Sequence, residues 1–234
     1  MSTKTGIPPI ATAGQSLVDR VSHAVRRAIL EGRLGPGDNL SISDLAADLG
    51  VSHSPVREAL QQLSGQGLVV LRPARTAIVA PLGIPDLEDI YRLRTLVEVE
   101  AAARAARLLT DEHLAIVERE FTELTDAPVD SERFWTSHNA FHGALMAPVS
   151  TPRLERIVAE LWQAAERYIR IVYGATDVLF TLSPQDRHRP LLEAAQARSA
   201  SKMRKALTQH LRSNEQEIIR SLEQIAARQA PGGA

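Results

Sequence analysis

Four of the seven histidines in this chain are spaced in a way that could gather a metal ion. His138 and His142 are four residues apart, which puts both imidazoles on one face of a helix and within reach of one ion. His188 opens a later helical segment and His210 sits within the last one, so a bundle could bring all four side chains together. An i,i+4 pair is also what an ordinary polar helix face presents, and spacing alone does not choose between the two. Cysteine is absent, which excludes a thiolate nucleophile, a disulfide and a sulfur-ligated site. Any metal must therefore be held by nitrogen or oxygen.

A second group lies near the front of the chain. Ala46, Gly50 and Val56 have the spacing of a helix, a tight turn and a second helix, with small Ala46 allowing close approach, Gly50 making the turn and Val56 filling the angle between them. The start of that second helix carries Ser52, His53, Ser54 and Arg57, which suit phosphates or base edges in a DNA major groove, with Arg57 the best placed for a guanine. Arg72 and Arg75 flank the tip of a following hairpin and would form a wing. Each arginine taken singly is equally well explained as a solvated surface charge. Together on one winged motif they point to DNA binding.

The elements that must position these residues are legible from periodicity and turn chemistry. Residues 1–14 and 230–234 have no periodic apolar spacing and are expected to be flexible ends. Leu17, Val21, Val25 and Ile29 mark a first helix, with Gly32 to end it. Ser41 with Asp44 has capping-box form for a short helix over Ser43–Leu49, and Ser52 is placed to cap a third helix running to about Gly65. Leu68–Leu71 and Ala77–Ala80 are β-prone runs around a turn. Residues 15–80 thus read as a winged helix-turn-helix domain and 81–85 as a linker. Residues 86–229 show only helical periodicity, in segments near Asp86–Leu108, Asp111–Leu124, Ser131–Met146, Pro152–Tyr173, Pro184–Gln196 and Ser201–Ala227. The expected fold is mainly α: a winged helix-turn-helix joined to an all-α helical bundle.

Composition narrows the classes. The 234 residues carry 44% hydrophobic and 24% charged side chains with a formal net charge of -1, an ordinary globular make-up that excludes disorder throughout. Residues 1–80 hold 8 Lys+Arg against 6 Asp+Glu, and the remainder 19 against 22, an asymmetry too small to argue a nucleic-acid partner by itself. No apolar run approaches the roughly 18 residues of a membrane span and the first residues lack a signal-peptide pattern, so no membrane partner and a cytoplasmic location are expected.

At this level the chain resembles a known family. Val25-Arg-Arg-Ala-Ile-Leu-Glu-Gly-Arg-Leu-Gly-Pro-Gly-Asp-Asn-Leu40, Leu49-Gly-Val-Ser-His-Ser-Pro-Val-Arg-Glu-Ala-Leu60 and Gly67-Leu-Val69 look like the GntR family of bacterial transcription regulators over about Val25 to Val79. The likeness departs at His53, where it implies arginine, and at Thr76, where it implies a wing glycine. A shorter, conditionally charged side chain at 53 implies a different operator or weaker binding.

Phe134-Trp135, Asn139-Ala-Phe-His-Gly-Ala-Leu145 and His188-Arg-Pro-Leu-Leu-Glu-Ala194 are similar to the FadR-type, or FCD, effector domain, over about Asp86 to Leu211. In metal-binding members the resemblance implies an Asp and a His four apart plus two later histidines, which maps onto His138, His142, His188 and His210. His138 stands where Asp is expected. An all-nitrogen set favours zinc, nickel or copper over manganese or magnesium, with zinc or nickel foremost; alternatively His138 turns away and three histidines remain. The resemblance further implies that the ion receives a small carboxylate effector. Arg94, with Glu98 four residues on, looks like the family's Arg and Glu and would either clamp that carboxylate or form an intrahelical ion pair. Tyr168 and Arg170 lie on another helix, and nothing in spacing selects them.

These features lead to a homodimeric DNA-binding regulator, not an enzyme, acting as a repressor by resemblance. Dimerisation is expected because two half-sites about one helical turn apart need two recognition helices. Two alternatives stand beside it: a helical metalloenzyme using the histidine cluster, which leaves the winged motif without purpose, and a metal sensor in which the ion is the signal.

Overall fold

The computed structural model describes residues 16–72, 76–129, 131–175 and 183–229. The expected flexible ends and Arg75 at the wing tip lie outside the described residues. The chain forms two compact units, one running up to Gly83 and taking in Glu166–Gly174, the other comprising Ile84–Ala165 and residues from Ala175 onward.

In the front unit, α1 (Leu17–Leu30) starts where the Ser16 hydroxyl accepts from the Asp19 amide. Strand β1 (Asn39–Ser41) leads directly into α2 (Ile42–Leu49), whose Ser41 side chain accepts from the Asp44 amide at 3.3 Å. Gly50 then ends α2 at φ +67°, the left-handed conformation that a side chain would strain. Helix α3 (His53–Gly65) begins after Ser52, but Ser52 makes no capping hydrogen bond, contrary to expectation. The third helical residue is Pro55, which removes one of the two amides from which the hydroxyl could accept. Strands β2 (Val69–Arg72) and β3 (Thr76–Val79) pair antiparallel as the expected hairpin. Unexpectedly, β1 adds to the other side of β3, giving the sheet order β1-β3-β2. Three residues are too few to show alternation. Val21, Val25, Ile29, Leu45, Val56, Leu60 and Leu63 are fully or almost fully buried and close the unit into one core. Within this unit Arg167 donates to the carbonyls of Gly67 and Ala80, at 2.9 and 3.3 Å, and Tyr168 both donates to and accepts from the backbone of Gly83.

The rear unit is helical in its described residues: α4 (Ile84–Ala106), α5 (Asp111–Asp126), α6 (Glu132–Met146), a 3-10 turn at Ala147–Val149, α7 (Pro152–Ala175, shared with the front unit), α8 (Pro184–Gln196) and α9 (Ala200–Gln229). Helix α4 starts at Ile84, so Ile84 and Pro85 are helical where a linker was expected. The buried run Ala101, Ala102, Ala103, Ala105 and Ala106 presents almost no side chain, which lets α4 pack closely along α9. On α9, Met203, Leu207, His210, Leu211, Asn214 and Ile218 form one buried stripe at helical spacing. Thr110 caps α5 in a reciprocal arrangement with His113, whose Nδ1 accepts from the Thr110 amide. That accounts for His113 and leaves it no part in metal binding. No described helix is long and apolar enough to cross a membrane.

Candidate metal centre and DNA-reading face

Each of the four histidines predicted from spacing arrives on a helix of the rear unit, and the structure brings them together. His138 and His142 lie one turn apart on α6, His188 in the first turns of α8, and His210 midway along α9. One nitrogen from each lies within 4.8 Å of the others. The His142 ring is 4.6 Å from that of His138, 5.1 Å from His210 and 5.4 Å from His188, and the His188 ring is 5.2 Å from His138 and 4.7 Å from His210. Two nitrogens on one tetrahedral zinc stand about 3.3 Å apart, so the set needs to contract by no more than about 1.5 Å.

The donor atoms are in a suitable chemical state. His188 Nδ1 is 2.7 Å from the Pro184 carbonyl, which only accepts, so the proton sits on Nδ1 and Nε2 carries the lone pair. Locking a ligating imidazole through its other nitrogen is the usual outer-shell arrangement of a metal histidine. The Nε2 atoms of His142 and His188 are buried and have no hydrogen-bond partner. Two orphaned ring nitrogens side by side are costly unless something is bound to them. Burial pushes all four histidines down, His188 to about 4, and the charge of Arg94 adds to the effect at His138, His142 and His210. They are therefore neutral at pH 7, the form that ligates without first releasing a proton. On donor type, number and spacing, the residues fit a divalent transition metal.

The depressed pKa values have a direction. In the unfolded chain these histidines take up protons near pH 6.5, while in the folded chain they resist until well below it, so the unfolded state binds more protons in between. Stability is thus full above about pH 6.5 and is lost as pH falls toward about 4. Chelator-treated protein should show its thermal midpoint dropping by about 5 °C or more across that window, with a smaller drop in His188→Gln. A midpoint that is flat with pH would contradict the buried neutral state.

Of its two expected readings, Arg94 makes the ion pair. Its Nε donates to Glu98 at 2.7 Å, with both side chains buried, so the intrahelical ion pair exists. That bond uses one edge of the guanidinium, which also lies over the Tyr91 ring. Two further groups of the same unit were not signalled by the sequence, Tyr91 Oη and Trp162 Nε1; both are buried without partners, as is Glu98 Oε2, and the Trp162 ring lies 6.1 Å from His142. A tyrosine and a tryptophan on helical spacing look like ordinary core, and only the orphaned polar atoms distinguish them.

In the front unit, Ser52, His53, Ser54 and Arg57 are exposed at the start of α3 while the intervening Pro55 and Val56 are buried. The Ser54 hydroxyl donates to Glu58 at 3.2 Å, and Ser52, having no cap to make, keeps its hydroxyl available. Arg57 forms no ion pair among the described residues. Arg72 is exposed at the end of β2, paired in register with Thr76.

Comparison with known proteins agrees with this two-part arrangement. Residues 17–79 match the bacterial regulatory proteins of the gntR family, and residues 89–213 match the FCD domain. The uncharacterized HTH-type transcriptional regulator BphR of Paraburkholderia xenovorans is 31% identical, over 88% of this chain and 86% of its own length. The HTH-type transcriptional repressor RspR of Escherichia coli is 27% identical, over 96% of this chain and 95% of its own. The solved structure of E. coli McbR/YncC superposes with a TM-score of 0.70 at 26% identity, covering 90% of this chain and 99% of the other. These relatives are regulators, which sets the metalloenzyme alternative aside. A winged helix-turn-helix, a helical rear unit and full-length likeness to such proteins place the chain in the GntR family, as a DNA-binding transcription regulator of the FadR type with an FCD domain.

Proposed function

We propose that the chain is a homodimeric repressor whose affinity for its operator is set by a small carboxylate effector, bound in a rear-unit pocket that holds a divalent transition metal. The observation that carries this reading is the convergence of His138, His142, His188 and His210, with ligating nitrogens within 4.8 Å, two of them orphaned. The four neutral imidazoles would hold zinc or nickel, which when bound supplies a Lewis-acid position for a carboxylate oxygen. Charge supports an anionic effector. A divalent ion together with Arg94, set against Glu98 alone, leaves a net charge of about +2 in a buried setting, and an anion offsets that. Arg94 is the residue we assign to the effector, through the donors that Glu98 leaves over.

At the front, Ser52, His53, Ser54 and Arg57 on α3 would enter the major groove, with Arg57 reading a guanine and Arg72 and Arg75 of the wing meeting the backbone. Repression is the direction suggested by RspR, which is described as a repressor. For the effector to act, it must bind one arrangement of the dimer better than the other.

The test begins with elemental analysis of untagged protein, continues with a panel of small carboxylates read by thermal shift, and ends with operator binding with and without whichever acid stabilises. Near-stoichiometric zinc or nickel, a stabilising acid and a change of at least about fivefold in operator affinity are expected. Metal-free protein whose midpoint no carboxylate raises would refute the reading.

A further inference from the structure

His210 differs from its neighbours in the cluster. His142 and His188 each present a buried Nε2 without a partner, whereas the Nε2 of His210 lies 3.2 Å from the side-chain nitrogen of Asn214, one turn further along α9. The other ring nitrogen, Nδ1, faces the Arg187 carbonyl at 3.4 Å. A carbonyl only accepts, so Nδ1 carries the proton and Nε2 the lone pair. The orientation of Asn214 follows from its other partner. Its Oδ1 is 2.5 Å from Arg187 Nη1, an atom that only donates, so the amide oxygen faces Arg187 and the NH2 group faces His210. Arg187 in turn is ion-paired with Glu217 through Nη2. Donation therefore runs outward from Arg187, to Glu217 on one side and through Asn214 to His210 on the other, where it ends on the lone pair that a metal would need.

From this geometry we propose that Asn214 is a positioning residue that competes with the metal for His210 Nε2 and thereby weakens the site. The proposal rests on the metal reading of the four-histidine cluster. An ordinary outer-shell residue holds the protonated nitrogen of a ligating histidine and strengthens the site. Pro184 does this for His188 through its carbonyl, and Arg187 does it for His210. Asn214 instead donates to the ligating nitrogen itself, and that hydrogen bond must break before His210 can ligate. Because the Arg187–Glu217 pair holds the amide oxygen, the NH2 group cannot turn away without losing a charge-assisted bond. The network also reaches the surface: Arg187, Glu193, Lys202, Gln209, His210 and Asn214 are among the residues lining a cleft of about 560 Å3 between α8 and α9. Anything binding Arg187 from that cleft would loosen Asn214 and change the affinity at His210.

The experiment titrates zinc, against a chelating dye, and cobalt into full-length wild type, Asn214→Ala and Asn214→Asp. Asn214→Ala should bind zinc about three- to tenfold more tightly, the equivalent of one hydrogen bond no longer broken. Asn214→Asp keeps the acceptor for Arg187 and the shape of the side chain but has no N–H for His210. It should also bind more tightly, while keeping the metal-free thermal midpoint near that of wild type if Asn214→Ala is too unstable to compare. The visible absorption of bound cobalt supplies a readout that a packing role would not move, and it should change in both variants as His210 ligates more fully. Unchanged or weaker zinc binding in both variants, with the cobalt spectrum of wild type, would overturn the role of Asn214 alone. A wild type that takes up neither zinc nor cobalt would overturn the metal reading, and the inference with it.

Discussion

The His142→Ala variant is expected to lose its metal and, with it, much of its heat resistance. The His142 ring, like that of His188, lies within about 5.5 Å of each of the other three, and its Nε2 has nothing else to bind. Removing it breaks the one-turn pair on α6 and leaves one ligand on each of three separate helices, and metal content should fall from near one ion per chain to a small fraction of that. Because a ligand stabilises the folded state in proportion to the logarithm of its concentration over Kd, a site saturated a thousandfold contributes about 4 kcal/mol. For a chain of this length that corresponds to roughly 10 °C of thermal midpoint. The decisive comparison is between proteins with and without added zinc: wild type should shift upward and His142→Ala should not. Part of the variant's instability will come from the cavity left by a buried ring, and that part persists in chelator. Equal metal loading in wild type and variant would remove His142 from the ligand set.

Arg57→Ala should weaken operator binding by about 5- to 150-fold, the range of one lost arginine contact to a base, and relax the preference at one position of the site. The side chain is exposed at the start of α3, and the residues that hold that helix in place, Val56, Leu60 and Leu63, point the other way. Folding should therefore be untouched, with the thermal midpoint within about 2 °C of wild type. The measurement is fluorescence anisotropy on DNA selected by the wild-type protein from a random pool, repeated with each base pair of the selected half-site exchanged. Unchanged affinity across that series would refute the role assigned to Arg57. His53 stands beside it where the family likeness implies arginine, so the selected sequence is expected to differ from that of relatives carrying arginine there.

The two sites were legible in the sequence to different extents, and the difference follows from distance along the chain. The DNA-reading face is local. Ser52, His53, Ser54 and Arg57 fall within six consecutive positions, and the turn at Gly50, the cap at Ser41 and the apolar spacing of α1 and α3 each act within a turn or two of helix. Even there, two features escaped. Strand β1 exists because β3 offers it a partner far along the chain, and three residues carry no pattern of their own. Ser52 was expected to cap α3, although the proline that removes one of the two amides open to it was in view; the rule for caps and the rule for proline had to be applied to the same atom. The wing tip, with Arg75, lies outside the described residues.

In the rear unit the helices were again close to expectation, and Pro184–Gln196 matches at both ends, since proline, serine caps and apolar stripes are signals of short range. The i,i+4 spacing of His138 and His142 was enough to nominate a metal pair. That His188 and His210 complete it depends on how α6, α8 and α9 pack, which involves contacts between residues 46 and 72 positions apart. Arg94 illustrates the boundary: spacing offered a clamp or an ion pair as alternatives, and burial shows that the ion pair with Glu98 is made while one edge of the guanidinium remains.

The sequence by itself determined the two-part architecture, most helix limits, the candidate residues of the DNA-facing helix and the His138/His142 pair, because capping, turn chemistry and periodicity act over a few residues and survive without knowledge of the fold. Only the tertiary structure decided that the four rings meet, that Tyr91, Glu98 and Trp162 carry orphaned polar atoms, and that Asn214 stands on His210. Those outcomes depend on which buried polar group finds a partner across the bundle, and a partner from another helix has no fixed spacing in the chain.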